Sequence, residues 1–296
     1  MRPVSIALTL FLTLVTAAVG RADRIAVPSQ AGWDAARKTV ALPGGPALAY
    51  VEMGDPAGPP TLLLHGYTDS SRGWSPIAPW LADRHLYALD LRGHGRSDAP
   101  ACCYAYADFA DDAARFLDAV GVARADVIGH SLGSMVAQSL AARHPAKVGG
   151  LVLVSSTTAM EVGPGTALWE DVMALSEPID PDGAFLRRWI PDSAALGREF
   201  VARERAEAAA MPIHVWRGVL RAMATEDLAP VASGVKAPVL VLWGERDRLF
   251  DLDHQQKLEK VYPDAEFRVF ANGGHTMFRD MPQSAARVIE DFLDDR

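Results

Sequence analysis

The chain has 296 residues, 49% of them hydrophobic and 22% charged, a composition that can bury a large core and excludes a disordered or fibrous protein. Its formal charge is -8, and no Lys/Arg-rich run interrupts it, so no basic face is available for nucleic-acid phosphates. One domain with an insertion accounts for the length.

The N-terminus places Arg2 before an apolar run from Val4 to Val19, followed by small residues at Ala17, Ala18, Gly20 and Ala22. This is the layout of a secretory signal peptide over residues 1–22, with cleavage expected after Gly20 or Ala22 and export to the periplasm or medium. The run is shorter than the ~20 residues of a comfortable membrane span, which disfavours a retained anchor; a buried N-terminal helix is the alternative.

After the leader, KTVAL and ALAYVEM read as an antiparallel pair around the turn cluster Pro43, Gly44, Gly45, Pro46. TLLLHG, HLYALDLRG, ADVIGHS, GGLVLVSS, APVLVLWG and AEFRVFAN follow, short apolar runs bounded by Gly, Pro or Asp. Their continuity suits strands buried on both faces of a mostly parallel sheet. Adjacent Cys102 and Cys103 are the only cysteines. They can form a vicinal disulfide, pair between chains or stay free, and as loop residues need no catalytic task.

Helical patterns lie between the strands. YADFADDAARFLDAVGV sets Phe109, Ala113, Phe116, Leu117 and Val120 on one face and stops at Gly121; LGSMVAQSLAARHP stops at Pro145; SAARVIEDFLDD closes the chain. The alternation predicts an α/β fold with right-handed crossovers. It lapses over residues 156–235, where Trp169, Met173, Phe185, Trp189, Met211, Trp216 and Met223 mix with Arg/Glu clusters. We read this as a helical lid inserted between core segments 23–155 and 236–296. Spacing does not separate its core residues from any that face a cavity.

The segment ADVIGHSLGSMVAQ hands an apolar strand to a helix through Gly129, His130, Ser131, Leu132 and Gly133. A G-x-S-x-G pentapeptide in that setting marks a tight turn that exposes a strained serine, with glycines where neighbouring chains approach too closely for a side chain. Ser131 is thus a candidate nucleophile rather than a helix cap. It needs a base and a group to orient that base. His275, in the glycine-flanked loop after the last strand, is the candidate base. Asp247, just past the preceding strand, is the candidate orienting acid, with Asp251 and Asp253 as competitors deeper into the next helix. Of the other histidines, His65 and His130 read as loop-shaping, His94 belongs to its RGHG loop, and His85, His144, His214 and His254 read as surface or lid residues.

LLLHGYTDSSRGW, LDLRGHGRSD, GHSLG, WGERD and GGHTMF, in this order and spacing, resemble the α/β-hydrolase superfamily, and the chain looks like a capped lipase, esterase or peroxidase-like member. The resemblance covers nearly everything after residue 38 except the lid. It implies an oxyanion hole from the backbone amides of Tyr67 and Leu132, Tyr67 serving also as an aromatic wall. Two departures matter. Ser131 stands where similar epoxide hydrolases and dehalogenases carry aspartate, and Thr68 replaces their frequent proline after HGx. Acyl transfer to water through an acyl-enzyme is therefore the expected reaction, on a carboxylic ester. Lactone, amide, carbon–carbon bond and peracid chemistry are alternatives with the same residues, and a non-catalytic small-ligand binder is the rival of another class. No metal or nucleotide motif is present, and no cofactor is expected.

Overall fold

The computed structural model describes residues 27–295, together with the backbone of Thr13–Val15. The rest of the expected leader lies outside the described residues. Among the described residues nine strands are assigned: β1 (Thr13–Val15), β2 (Arg37–Ala41), β3 (Ala47–Gly54), β4 (Pro60–Leu64), β5 (His85–Leu89), β6 (Ala125–His130), β7 (Val148–Val154), β8 (Val239–Gly244) and β9 (Glu266–Phe270). They form one sheet in the order β1, β9, β8, β7, β6, β4, β5, β3, β2. Of these strand pairings only β2–β3 and β3–β5 are antiparallel; β1 is an edge strand, and loss of a leader would leave eight strands with β9 at that edge.

Helices join the strands: α1 (Gln30–Ala36), α2 (Tyr106–Ala119), α3 (Leu132–Arg143), α4 (Ala167–Ala174), α5 (Ala184–Trp189), α6 (Arg198–Ala210), α7 (Ile213–Thr225), α8 (Leu252–Val261), α9 (Met277–Asp280) and α10 (Pro282–Asp294). Successive side chains of a strand point to opposite faces, so an apolar run feeds two cores. Leu62, Leu64 and Val127 join Phe109, Phe116 and Met135 on one face. Leu63 and Ile128 join Trp74, Phe278 and Ile289 on the other. Both faces are covered by helices, which is why β4 and β6 lack polar alternation.

The α2 pattern buries Phe109, Ala113, Phe116 and Leu117, while Val120 falls past the helix end and is half-buried. Trp33 of α1 is buried and donates from Nε1 to Ser71 Oγ at 3.2 Å, a packing helix the apolar periodicity did not announce. Cys102 and Cys103 form a disulfide, one of the three arrangements open to them. His254, expected at the surface, is buried instead; it packs on Phe250 and bonds Asp251 Oδ1 at 2.7 Å. That is a local pairing between the N-cap and the first turn of α8, where an exposed-looking sequence hides an inward face.

Between β7 and β8 the chain leaves the sheet as α4 to α7. Trp216 and Met223 of α7 pack in the core that lies on that side of the sheet, and Val172 of α4 and Leu186 of α5 close against them. The heterogeneous composition of this segment reflects short helices that each bury one narrow stripe, rather than alternating layers on a sheet.

The turn from β6 to α3 depends on two glycines. A Cβ built on Gly133 would lie 2.1 Å from Leu64 O, and one on Gly129 would lie 2.2 Å from Gly133 O. Neither approach can be relieved by a side-chain rotation, because both neighbours are backbone. Gly133→Ala is expected to lower unfolding free energy by about 2 kcal/mol or more. Urea unfolding that matched wild type would show that the β4–α3 contact is looser than described.

Candidate active site

Ser131 ends β6 and precedes α3 with φ +51° and ψ -120°, outside the regions ordinary side chains favour. Its backbone is fixed rather than its hydroxyl: the amide donates to Val154 O at 3.0 Å, and the carbonyl accepts from Ser134 N at 2.8 Å and Ser134 Oγ at 2.6 Å. The side chain caps no helix amide. Held this way, a serine presents Oγ without spending it on structure.

Asp247 follows β8 and is buried to 0% side-chain exposure. Its Oδ1 accepts from the amides of Leu249 at 2.9 Å and Phe250 at 3.1 Å, and its Oδ2 accepts from His275 Nδ1 at 2.8 Å. Burial pushes this carboxyl up, but the bond to His275, the charge of that ring and the two amides outweigh it and hold the group below the usual range. An ionised carboxylate can only accept, so the neutral imidazole carries its proton on Nδ1 and leaves a lone pair on Nε2. Asp251 caps α8 and Asp253 lies within it, so neither competitor meets His275.

His275 sits in the loop between β9 and α9, with its ring against Phe250 in a T-shaped contact at 5.3 Å. Its carbonyl is gripped twice, by His130 Nε2 at 2.9 Å and by Ser155 Oγ at 2.8 Å. Burial is the main reason that His130 is held well below the ordinary imidazole range, with the neighbouring His275 and Arg279 charges adding to it. The ring is therefore neutral and donates through Nε2–H. Sequence reading assigned His130 a loop-shaping part but named neither its bond to His275 nor Ser155, which comes from a loop 120 residues away.

The loop after β4 closes over the serine. A Cβ on Gly66 would lie 3.3 Å from Ser131 Cβ, which shows how near the chain runs. His65 fastens this loop: Leu91 N–H donates to Nε2 at 3.0 Å, so Nδ1 bears the proton and donates to Gly66 O at 2.8 Å. Burial pushes His65 down to about 4, keeping it neutral. Among the described residues no backbone carbonyl accepts from the amide of Tyr67 or of Leu132. The Leu132 amide, at the first position of α3, has no partner within the helix by construction.

Ser131, His275 and Tyr67 line one cavity of about 490 Å³. No hydrogen bond joins Ser131 Oγ to His275 in this resting arrangement; such bonds commonly tighten only when substrate is seated. The insertion supplies the opposite wall, with Trp189 to Leu196 and Val201 and Glu204 of α6. Of the seven aromatic and methionine residues noted in residues 156–235, Trp189 reaches this cavity, while Trp216, Met211 and Met223 are buried as packing. The other charged groups on the wall are Asp69, Asp192, Asp280 and Arg279. Arg279 pairs with Asp69 and, at 2.5 Å, with Glu204. Burial raises Glu204 to about 7 against the opposing pull of Arg279.

Residues 59–282 match the family described as alpha/beta hydrolase fold, and the chain belongs to that family. It is a hydrolase by fold and by the names of its relatives. The 2-(acetamidomethylene)succinate hydrolase of Mesorhizobium japonicum is 30% identical over 261 residues, covering 80% of this chain and 89% of the relative. The 2-hydroxymuconate semialdehyde hydrolase of Pseudomonas putida is 32% identical over 260 residues, with 79% and 86% covered. The crystal structure of an esterase from Rhodococcus sp. ECU1013 superposes with a TM-score of 0.74 at 27% identity, covering 88% of this chain and 98% of that one.

The neutral state of His65 sets a pH signature. Its folded value lies below the unfolded one near 6.5, so its contribution is complete above about pH 6.5 and is lost as pH falls toward about 4. The stability gap between wild type and His65→Gln is expected to shrink by roughly 1 kcal/mol per pH unit across that window. Denaturant curves at pH 7.5, 6, 5 and 4.5 measure it; a gap independent of pH would contradict the assignment.

Proposed function

We propose that the protein is an exported serine hydrolase that cleaves carboxylic esters, with Ser131 as nucleophile, His275 as general base and acid, and Asp247 as the group that fixes the imidazole tautomer. The observation that carries this reading is the 2.8 Å bond from His275 Nδ1 to buried Asp247, on the wall of the cavity that Ser131 also lines. It leaves the imidazole lone pair free to take a proton from the serine.

Ser131 Oγ attacks the ester carbonyl as His275 Nε2 takes its proton. Negative charge then grows on the carbonyl oxygen, and the amides of Tyr67 and Leu132, uncommitted to carbonyls, are the donors we assign to it. His275 returns the proton to the leaving alcohol. Water repeats the sequence on the acyl-enzyme, with His275 again as base, and frees the acid and Ser131. The α4–α7 insertion serves as a lid whose Trp189, Leu196 and Val201 shape an apolar acyl site.

Charge favours an ester without carboxylates over the succinate named for the Mesorhizobium relative. Asp69, Asp192, Glu204 and Asp280 line the cavity beside Arg279, which is already paired with Asp69 and Glu204, while Asp192 is paired with Arg205. A dianion entering this wall meets acids and finds its one arginine engaged, at a cost in low dielectric that no contact here offsets. The apolar portion of the wall and the esterase neighbour both support a neutral acyl chain.

Ser131→Ala is expected to abolish hydrolysis of short-chain aryl esters and labelling by a fluorophosphonate. Asp247→Asn is expected to lower kcat by about 10³-fold or more through the wrong tautomer. Near wild-type turnover by Ser131→Ala would reject the assignment, and a folded wild type that neither turns over nor labels would favour the ligand-binder reading. Export is checked separately, by N-terminal sequencing of protein recovered outside the cytoplasm, where a chain beginning at Arg21 or Asp23 is expected.

A further inference from the structure

The loop that carries the Tyr67 amide is bonded to the insertion directly at Tyr67, Thr68 and Ser70, and at Asp69 through Arg279 of α9. Tyr67 Oη donates to Trp216 O of α7 at 2.6 Å. Trp189 Nε1 of α5 donates to Thr68 Oγ1 at 2.8 Å. Asp69 pairs with Arg279, whose other nitrogen holds Glu204 of α6 at 2.5 Å. Ser70 Oγ donates to Glu207 Oε2 of α6 at 2.9 Å. Three of the insertion's helices therefore reach one short loop.

Thr68 stands out within it. Its φ is +65°, a left-handed value that is unfavourable for a β-branched residue and persists only where surrounding contacts over-determine it. Thr68 is buried, and the indole N–H of Trp189 on its hydroxyl is such a contact. The Tyr67 N–H lies in the peptide plane before Tyr67, so the two bonds act on it by fixing that residue's Cα, one through its own side chain and one through Thr68, where the chain leaves it. Donors to a developing oxyanion must lie within a few tenths of an ångström of ideal to be effective.

We propose that the insertion sets the position of the Tyr67 amide, with Thr68 and the hydroxyl of Tyr67 as positioning residues, so that the insertion governs turnover as well as substrate shape. This rests on the ester-hydrolase reading above. The bonds transmit position, not protons.

Thr68→Val keeps the branched shape and loses the acceptor; Thr68→Ser keeps the acceptor. The Val variant is expected to lose about tenfold in kcat with KM within about twofold, and to bind a trifluoromethyl ketone, which forms a tetrahedral adduct, about tenfold more weakly. Thr68→Ser should recover most of both. Tyr67→Phe, which breaks the link to α7 instead, should show the same split and decides the matter if Thr68→Val does not fold. Wild-type kcat and ketone affinity in a folded variant, or a rise in KM with kcat unchanged, overturns the proposal. Fluorophosphonate labelling of wild-type Ser131 keeps the two claims apart: its absence removes the ester-hydrolase reading, while labelling with unaffected variants removes only this inference.

Discussion

The architecture of the site follows from one close contact, the backbone of α3 pressed against the end of β4 at Gly133. A side chain there would sit within 2.1 Å of Leu64 O, so the two segments meet backbone to backbone. That approach makes the β6–α3 turn tight, and the tight turn forces Ser131 to φ +51°. It also brings the loop beginning at Gly66 over the serine. The cavity-facing hydroxyl, the free first amide of α3 and the nearby Tyr67 amide are three results of a single packing event.

The other side chains arrive from the same edge of the sheet. β8 and β9 lie beyond β7 in spatial order, and each releases its loop at the carboxyl end, where Asp247 and His275 are found. Open α/β sheets gather their polar groups there because helices cover both faces and leave that edge free. His275 is then held from two directions, its ring by Asp247 and its carbonyl by His130 and Ser155. The imidazole is oriented by a buried charge while its backbone is oriented by neutral donors. The core thus builds one half of the cavity rigidly, and the helical insertion completes the other half through Trp189, Val201 and Glu204.

Legibility in the sequence followed the range of the interaction. Runs such as TLLLHG and ADVIGHS announced strands buried on both faces because strand alternation feeds two cores, a local pattern with a local cause. Ser131 was legible for the same reason: glycine spacing reports steric crowding at its own position. Asp247 and His275 were legible from their place after strands, and the structure brings the two together. Contacts between distant segments left no such trace. Nothing in the sequence around Thr68 announces Trp189, 121 residues away, nor does Ser155 announce its bond to the loop of His275. The insertion stayed opaque because a tryptophan that packs, like Trp216, and one that faces a cavity, like Trp189, obey the same helical spacing. His254 was misjudged for a related reason: its ring is buried against Phe250 on a helix whose polar composition suggests solvent.

The proposed serine chemistry requires that the hydroxyl, the carboxylate-held imidazole and two amides surround one carbonyl carbon. A crystal structure of the wild-type protein after reaction with an alkyl fluorophosphonate measures that directly. The account predicts phosphorus bonded to Ser131 Oγ, with the phosphonyl oxygen about 3 Å from the amides of both Tyr67 and Leu132 and the imidazole of His275 beside the seryl oxygen. An adduct on another residue, or a phosphonyl oxygen turned toward solvent with both amides empty, would contradict it.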